Sequence, residues 1–206
     1  LYNSKPAVIY GFHGIDREAA LNILNHKDQF LHSNNSYDWL GQGIYFWENN
    51  LERAKQYAKK DSERKESSIK DPFVLGSVIE LGNCMDLLDQ RYIDFLPVAY
   101  EDLKDILAQE GKTMPVNAKF YPSDTDESKR ELDCAVIRHA CTLWEEIGNP
   151  PFDSVRAVFI EGDEVYNGAK FYTGSHIQIA IINHDCIKGI FLPREAGQKP
   201  VFAEPK

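Results

Sequence analysis

The chain has 206 residues, 43% hydrophobic and 27% charged, with a formal net charge of −9. That length supports one domain with a substantial apolar core, and no apolar run or leader pattern marks a membrane span or a signal peptide. The acidic balance disfavours a binder held to a phosphate backbone by bulk electrostatics, and four scattered cysteines without a C-x-x-C pair lead us to expect reduced thiols in a cytoplasmic setting.

The stretch 7–14 reads as a strand ending in a glycine-flanked histidine, Phe12-His13-Gly14. Asp16 can cap a following helix whose apolar stripe is Ala19, Ala20, Ile23 and Leu24. A polar, turn-rich segment from His26 to Asp38 leads into Leu40-Gly41-Gln42-Gly43-Ile44-Tyr45-Phe46-Trp47-Glu48. Two glycines before an aromatic strand allow a sharp turn and let a ligand come close to the backbone. A core strand entered by a tight turn is the plainer account of that segment taken alone. A helix is expected over 51–60. From Glu52 to Glu66 six basic and four acidic residues read as a solvated face rather than a nucleic-acid patch.

A loop over 62–71 and a buried strand over 73–81 follow. Short helices are expected within 83–116, broken or started at Pro97, then a polar loop over 117–128. The spacing predicts a helix over 131–147 with Leu132, Ala135, Val136, His139, Leu143 and Ile147 on its buried stripe. Strands over 155–161, 177–183 and 187–192 complete the chain. Strands at both ends with helices between them predict an α+β fold around a largely antiparallel, split sheet. Four thiols and the histidines lack ligand spacing, so no metal site is expected.

Four segments together carry a resemblance. Phe12-His13-Gly14, the run Leu40 to Phe46, the run Val74 to Asn83, and the final stretch Gln178 to Leu192 resemble, in order, motifs of the poly(ADP-ribose) polymerase catalytic domain. That group belongs to the diphtheria-toxin-like ADP-ribosyltransferases. The resemblance implies a single ADP-ribosyltransferase-like domain with a mainly helical insertion at about 84–150, and NAD as substrate.

The residues make chemical sense for that substrate. Breaking the nicotinamide–ribose bond develops positive charge on the sugar, so an enzyme gains by gripping the nicotinamide and orienting the ribose. His13 can hydrogen-bond a ribose hydroxyl, and Gly14 can offer backbone N–H and C=O to the carboxamide. Tyr45 offers a ring for stacking, although strand parity lets only one of Tyr45 and Phe46 face a cleft. The resemblance also implies a second stacking tyrosine. Tyr57 is the candidate, one residue beyond the family's spacing, and the family's carboxamide-binding serine has no counterpart near Arg53 and Ala54.

Gln178 stands where the polymerising members carry a glutamate. Its amide can accept a sugar hydroxyl but supplies no negative charge. Glu48, Glu161, Asp163 and Glu164 are acids near enough in sequence to substitute, though each also reads as a solvated surface acid. His176 and His184 read as structural or exposed. The expected function is mono-ADP-ribosyl transfer by His13, Tyr45 and Gln178 to a protein or nucleic-acid acceptor. Similar compact bacterial proteins act as toxins or phage-defence effectors, which implies an antitoxin partner. An NAD glycohydrolase and a non-catalytic NAD- or ADP-ribose-binding module are the alternatives.

Overall fold

A computed structural model describes residues 8–120 and 127–194. The expected strand start at Ala7 and most of the middle of the 117–128 loop lie outside the described residues. The first strand, β1 (Ile9–Asp16), runs directly into α1 (Arg17–Leu24). Asp16 makes that junction: one carboxylate oxygen accepts the Glu18 N–H, and the other accepts the N–H groups of Lys70 and Asp71. These backbone donors, chiefly those of Asp71 and Lys70, hold the Asp16 pKa below the ordinary carboxylate value.

After β2 (Ile44–Glu48) and α2 (Leu51–Ser62) come β3 (Pro72–Ile79) and a short β4 (Cys84–Asp86). Residues 90–146 hold α3 (Gln90–Gln109), the two-residue strands β5 (Asn117–Ala118) and β6 (Lys129–Arg130), and α4 (Glu131–Glu146). Then β7 (Ser154–Phe159), β8 (His176–Ile181), a 3-10 turn (His184–Cys186) and β9 (Ile187–Phe191) close the fold. Seven strands form one sheet in the order β4-β7-β8-β2-β1-β3-β9, antiparallel except for β4 beside β7.

Two expectations need correction. The short helices expected within 83–116 are one 20-residue helix that runs through Pro97. The proline removes one intrahelical donor, but Tyr92, Phe95, Leu96 and Ala99 together pack the helix against Trp144, Phe152 and Val155, and that burial outweighs the missing bond. The buried stripe of α4 is also rotated from the expected one. Cys134, Val136, Ile137 and Ala140 are buried, whereas Ile147 lies past the helix end and is exposed. His139 instead bonds Asp102 at 2.6 Å and ties α4 to α3.

The sheet separates two apolar layers. One face packs Ile44, Phe46, Leu75, Ile79, Ile179 and Ile181 beneath Ala20 and Ile23 of α1. The other is covered by α2 over Trp47 and Val74, and by α3 and α4 over Val155, Ala157 and Ala180.

Candidate functional site

The glycine-rich entry to β2 is built around its neighbours in the fold. Gly41 takes a left-handed φ of +75°. A Cβ on Gly43 would stand 2.9 Å from the Ile181 carbonyl oxygen and 3.0 Å from the Ala180 Cβ. What comes close to this glycine is therefore strand β8. The Tyr45 hydroxyl locks the turn by donating to the Gly41 carbonyl at 2.6 Å and accepting the Leu40 N–H at 2.9 Å. Burial, reinforced by Asp38, pushes the phenol pKa far up, so it stays protonated.

The opening of the sheet lies between β1 and β2. Their ladder holds only Gly11–Glu48 and Phe12–Trp47, while β1 continues alongside β3 as far as Asp16. Where the two strands part, the His13 Nδ1 lies 2.7 Å from the Tyr45 carbonyl oxygen. A carbonyl only accepts, so Nδ1 carries the hydrogen and Nε2 is the ring's acceptor. The His13 ring stands edge-on to Phe30 at 5.1 Å and tilted on Phe46 at 5.5 Å. Burial lowers its pKa more than the carbonyl bond raises it, which favours the neutral ring.

Gly14 borders the same gap. The Tyr10 carbonyl accepts the Asn49 N–H on the β2 side, and strand alternation turns the N–H and C=O of Gly14 the same way. A Cβ on Gly14 would meet the Ala54 carbonyl oxygen at 2.9 Å and Tyr57 Cδ1 at 3.0 Å. Asn49 adopts φ +49°, and the Asn50 side chain caps the helix at the Arg53 N–H, so that Tyr57 comes down beside Gly14.

The structure thus brings the His13 side chain to the Tyr45 carbonyl, and Gly14 to Tyr57. It places the Tyr45 ring and the Gln178 side chain on the other face of the sheet from the His13 ring. Tyr45 pairs with Ala180 and Trp47 with Gln178, which puts all four on the face covered by α2, α3 and α4. On this face Trp47 packs at a tilt against Tyr57, with ring centroids 4.8 Å apart and an interplanar angle of 42°.

The acids fall into distinct settings. Glu48 is held by Arg156 through both carboxylate oxygens, at 2.5 and 3.0 Å, on the face opposite Gln178. Glu161 accepts from Arg53 Nη2 at 3.1 Å and lies 3.4 Å from His176 Nδ1. Glu164 accepts the Gly168 N–H, and the Asp163 backbone joins Thr173, both within the β7–β8 loop.

His176 is the residue that sequence reasoning undervalued. It is 6% exposed, ringed by Trp39, Trp47 and Phe159, and its Nδ1 donates to the Gly174 carbonyl at 2.7 Å. Alternation with Gln178 was the available signal; its aromatic neighbours come from three distant segments. Its pKa is lowered to about 4 by burial first and by Arg53 and Arg130 next, against the Gly174 bond. The unfolded chain, with an imidazole near 6.5, binds this proton more readily. Stability from His176 is thus full above about pH 6.5 and is lost as pH falls toward 4. At pH 4.5 the loss is expected to reach about 2–3 kcal/mol. Urea unfolding at pH 7 and pH 4.5 checks it, and His176→Phe should shrink the difference by that amount.

Two hollows, of about 250 and 190 Å³, lie where α1 and the segment after it meet β9, lined by Ile23, His26, Ile187 and Ile190, apart from Gln178. Among the described residues no three or more His, Cys, Asp or Glu side chains converge to hold a metal, and no helix is long and apolar enough to cross a membrane. No protein family, curated protein or solved structure matches the chain.

Proposed function

We propose that this chain is an NAD-dependent mono-ADP-ribosyltransferase. The observation that supports it most is the parting of β1 from β2 after two residue pairs. The gap is bordered by a neutral-favouring imidazole with an acceptor nitrogen, by the backbone groups of Gly14, and by the ring of Tyr57. A carboxamide needs one donor and one acceptor close together, and a backbone glycine supplies both without a side chain in the way. The imidazole then accepts a ribose hydroxyl.

In this reading Gln178 orients the reacting sugar without charging it, which suits a single transfer to an acceptor that brings its own nucleophile. A protein acceptor fits better than a nucleic acid. The charges on α2 are partly paired among themselves, Glu52 with Lys55 and Asp61 with Arg64, so they offer a phosphate chain less bare charge. A second reading, a module that binds NAD or ADP-ribose without turnover, is favoured by the contact of Trp47 with Tyr57 at 4.8 Å, because one aromatic ring already lies against Tyr57.

Incubation with NAD labelled in the adenine portion separates these readings. Label on a macromolecule supports transfer, free ADP-ribose points to hydrolysis, and intact bound NAD points to a module. Absence of binding and turnover together rejects NAD as the ligand.

A further inference from the structure

On the face of the sheet that carries Gln178, five buried polar atoms without a hydrogen-bond partner belong to residues around His176. They are Trp47 Nε1, Arg53 Nε, Arg130 Nε, His176 Nε2 and Gln178 Oε1. Their residues are neighbours. Trp47 and Gln178 are cross-strand partners, and the His176 ring lies 6.4 Å from Trp47 and 5.7 Å from Phe159. Glu161 links Arg53 to His176, and the Arg130 guanidinium lies 4.2 Å from the Trp39 ring centre. Folded proteins leave few buried polar atoms unpaired, and a concentration of them marks a place where another group belongs.

The chemistry of the five atoms selects that group. An anion would meet the lone pairs of His176 and Gln178, and a cation would meet two guanidiniums. A neutral group that both donates and accepts satisfies the indole and guanidinium N–H groups and the two acceptors at once. Water, hydroxyls and primary amides are such groups, and a ligand hydroxyl or amide placed there would take over the bonds of an ordered water.

We propose that Trp47, Arg53, His176 and Gln178 form a subsite for a neutral hydroxyl- or amide-bearing part of the ligand, with His176 as a second acceptor beside Gln178. The proposal rests on the NAD reading, in which a ribose hydroxyl or the nicotinamide carboxamide supplies that group. Tyr57 lies against Trp47 with ring centroids 4.8 Å apart and is itself 43% exposed. His176 Nδ1 is committed to the Gly174 carbonyl, which fixes Nε2 as the acceptor.

Calorimetric titration of the wild type, His176→Phe and Trp47→Phe with ADP-ribose, and separately with nicotinamide, tests this. His176→Phe keeps a flat ring and removes the acceptor. It is expected to weaken one of the two probes about 10- to 100-fold and to leave the other within twofold, with a lower melting temperature from the lost Gly174 bond that affects both probes alike. A loss confined to ADP-ribose assigns the subsite to a sugar hydroxyl; a loss confined to nicotinamide assigns it to the carboxamide. Equal losses on both probes mean a purely structural role and overturn the proposal, as do unchanged affinities in both variants. Should His176→Phe fail to fold, Trp47→Phe, which removes the indole N–H, carries the same test. A wild type that binds neither probe rejects the NAD reading itself; a wild type that binds with unaffected variants rejects the subsite alone.

Discussion

Arg156→Ala is expected to destabilise the fold by about 3–5 kcal/mol, measured as a lower urea midpoint at unchanged slope. Arg156 donates to Glu48 from Nε and Nη2 and to Asp86 from Nη1 at 3.0 Å. Side-chain exposure is 16% for Arg156, 12% for Glu48 and 1% for Asp86. The ion network fastens β4, β7 and β2 to one another across β8, which none of these three residues belongs to. Removing the guanidinium leaves two carboxylates in a poorly hydrated place without their cation, and total stability for a domain of this size is only about 5–15 kcal/mol. The contrast is Arg17 with Asp71, where both side chains are about half exposed. Arg17→Ala should cost under about 1 kcal/mol. If the two substitutions prove equal, water reaches Glu48 and Asp86 freely.

The second large effect concerns turnover. His13→Ala and Gln178→Ala are each expected to remove about 1–3 kcal/mol of transition-state binding, a fall of about 5- to 150-fold in kcat/KM for NAD. His13 also packs on Phe30 and Phe46, so a melting curve accompanies the kinetics. On the proposed function, Gln178→Glu puts a negative charge beside the sugar and is expected to retain or raise the rate of bond cleavage. Full activity in either alanine variant would end the catalytic assignment.

Much of the architecture could be read from the chain because its signals are local. Asp16 caps the helix expected of it, and Ile44 to Trp47 alternate between two apolar layers as their side chains predict. The continuity of α3 through Pro97 could not be read, since it depends on burial against residues of α4 and β7. The site was legible in part. His13 and Gly14 stand out through motif, and Tyr57 lies one residue off the expected spacing; the structure sets His13 against the Tyr45 carbonyl and Gly14 against Tyr57. That the Tyr45 phenol is committed to the Gly41 turn depends on a bond four residues back, for which composition gives no sign. His176 reads only as structural or exposed in the sequence, because its setting is made by Trp39, Trp47 and Phe159, which reach it from separate elements.

The strand order has a consequence for how the molecule comes into being. β2, completed by residue 48, sits beside β8, which starts at 176. During synthesis the early strands and their helices can gather on β1 and β3, while the slot that receives β8 stays open until more than a hundred further residues have been added. Such distant partners join late and slowly. A nascent chain therefore carries His13 and Tyr57 long before β8 brings Gln178 into the sheet, and on the proposed function it stays inert in the ribosome's vicinity until that strand is inserted.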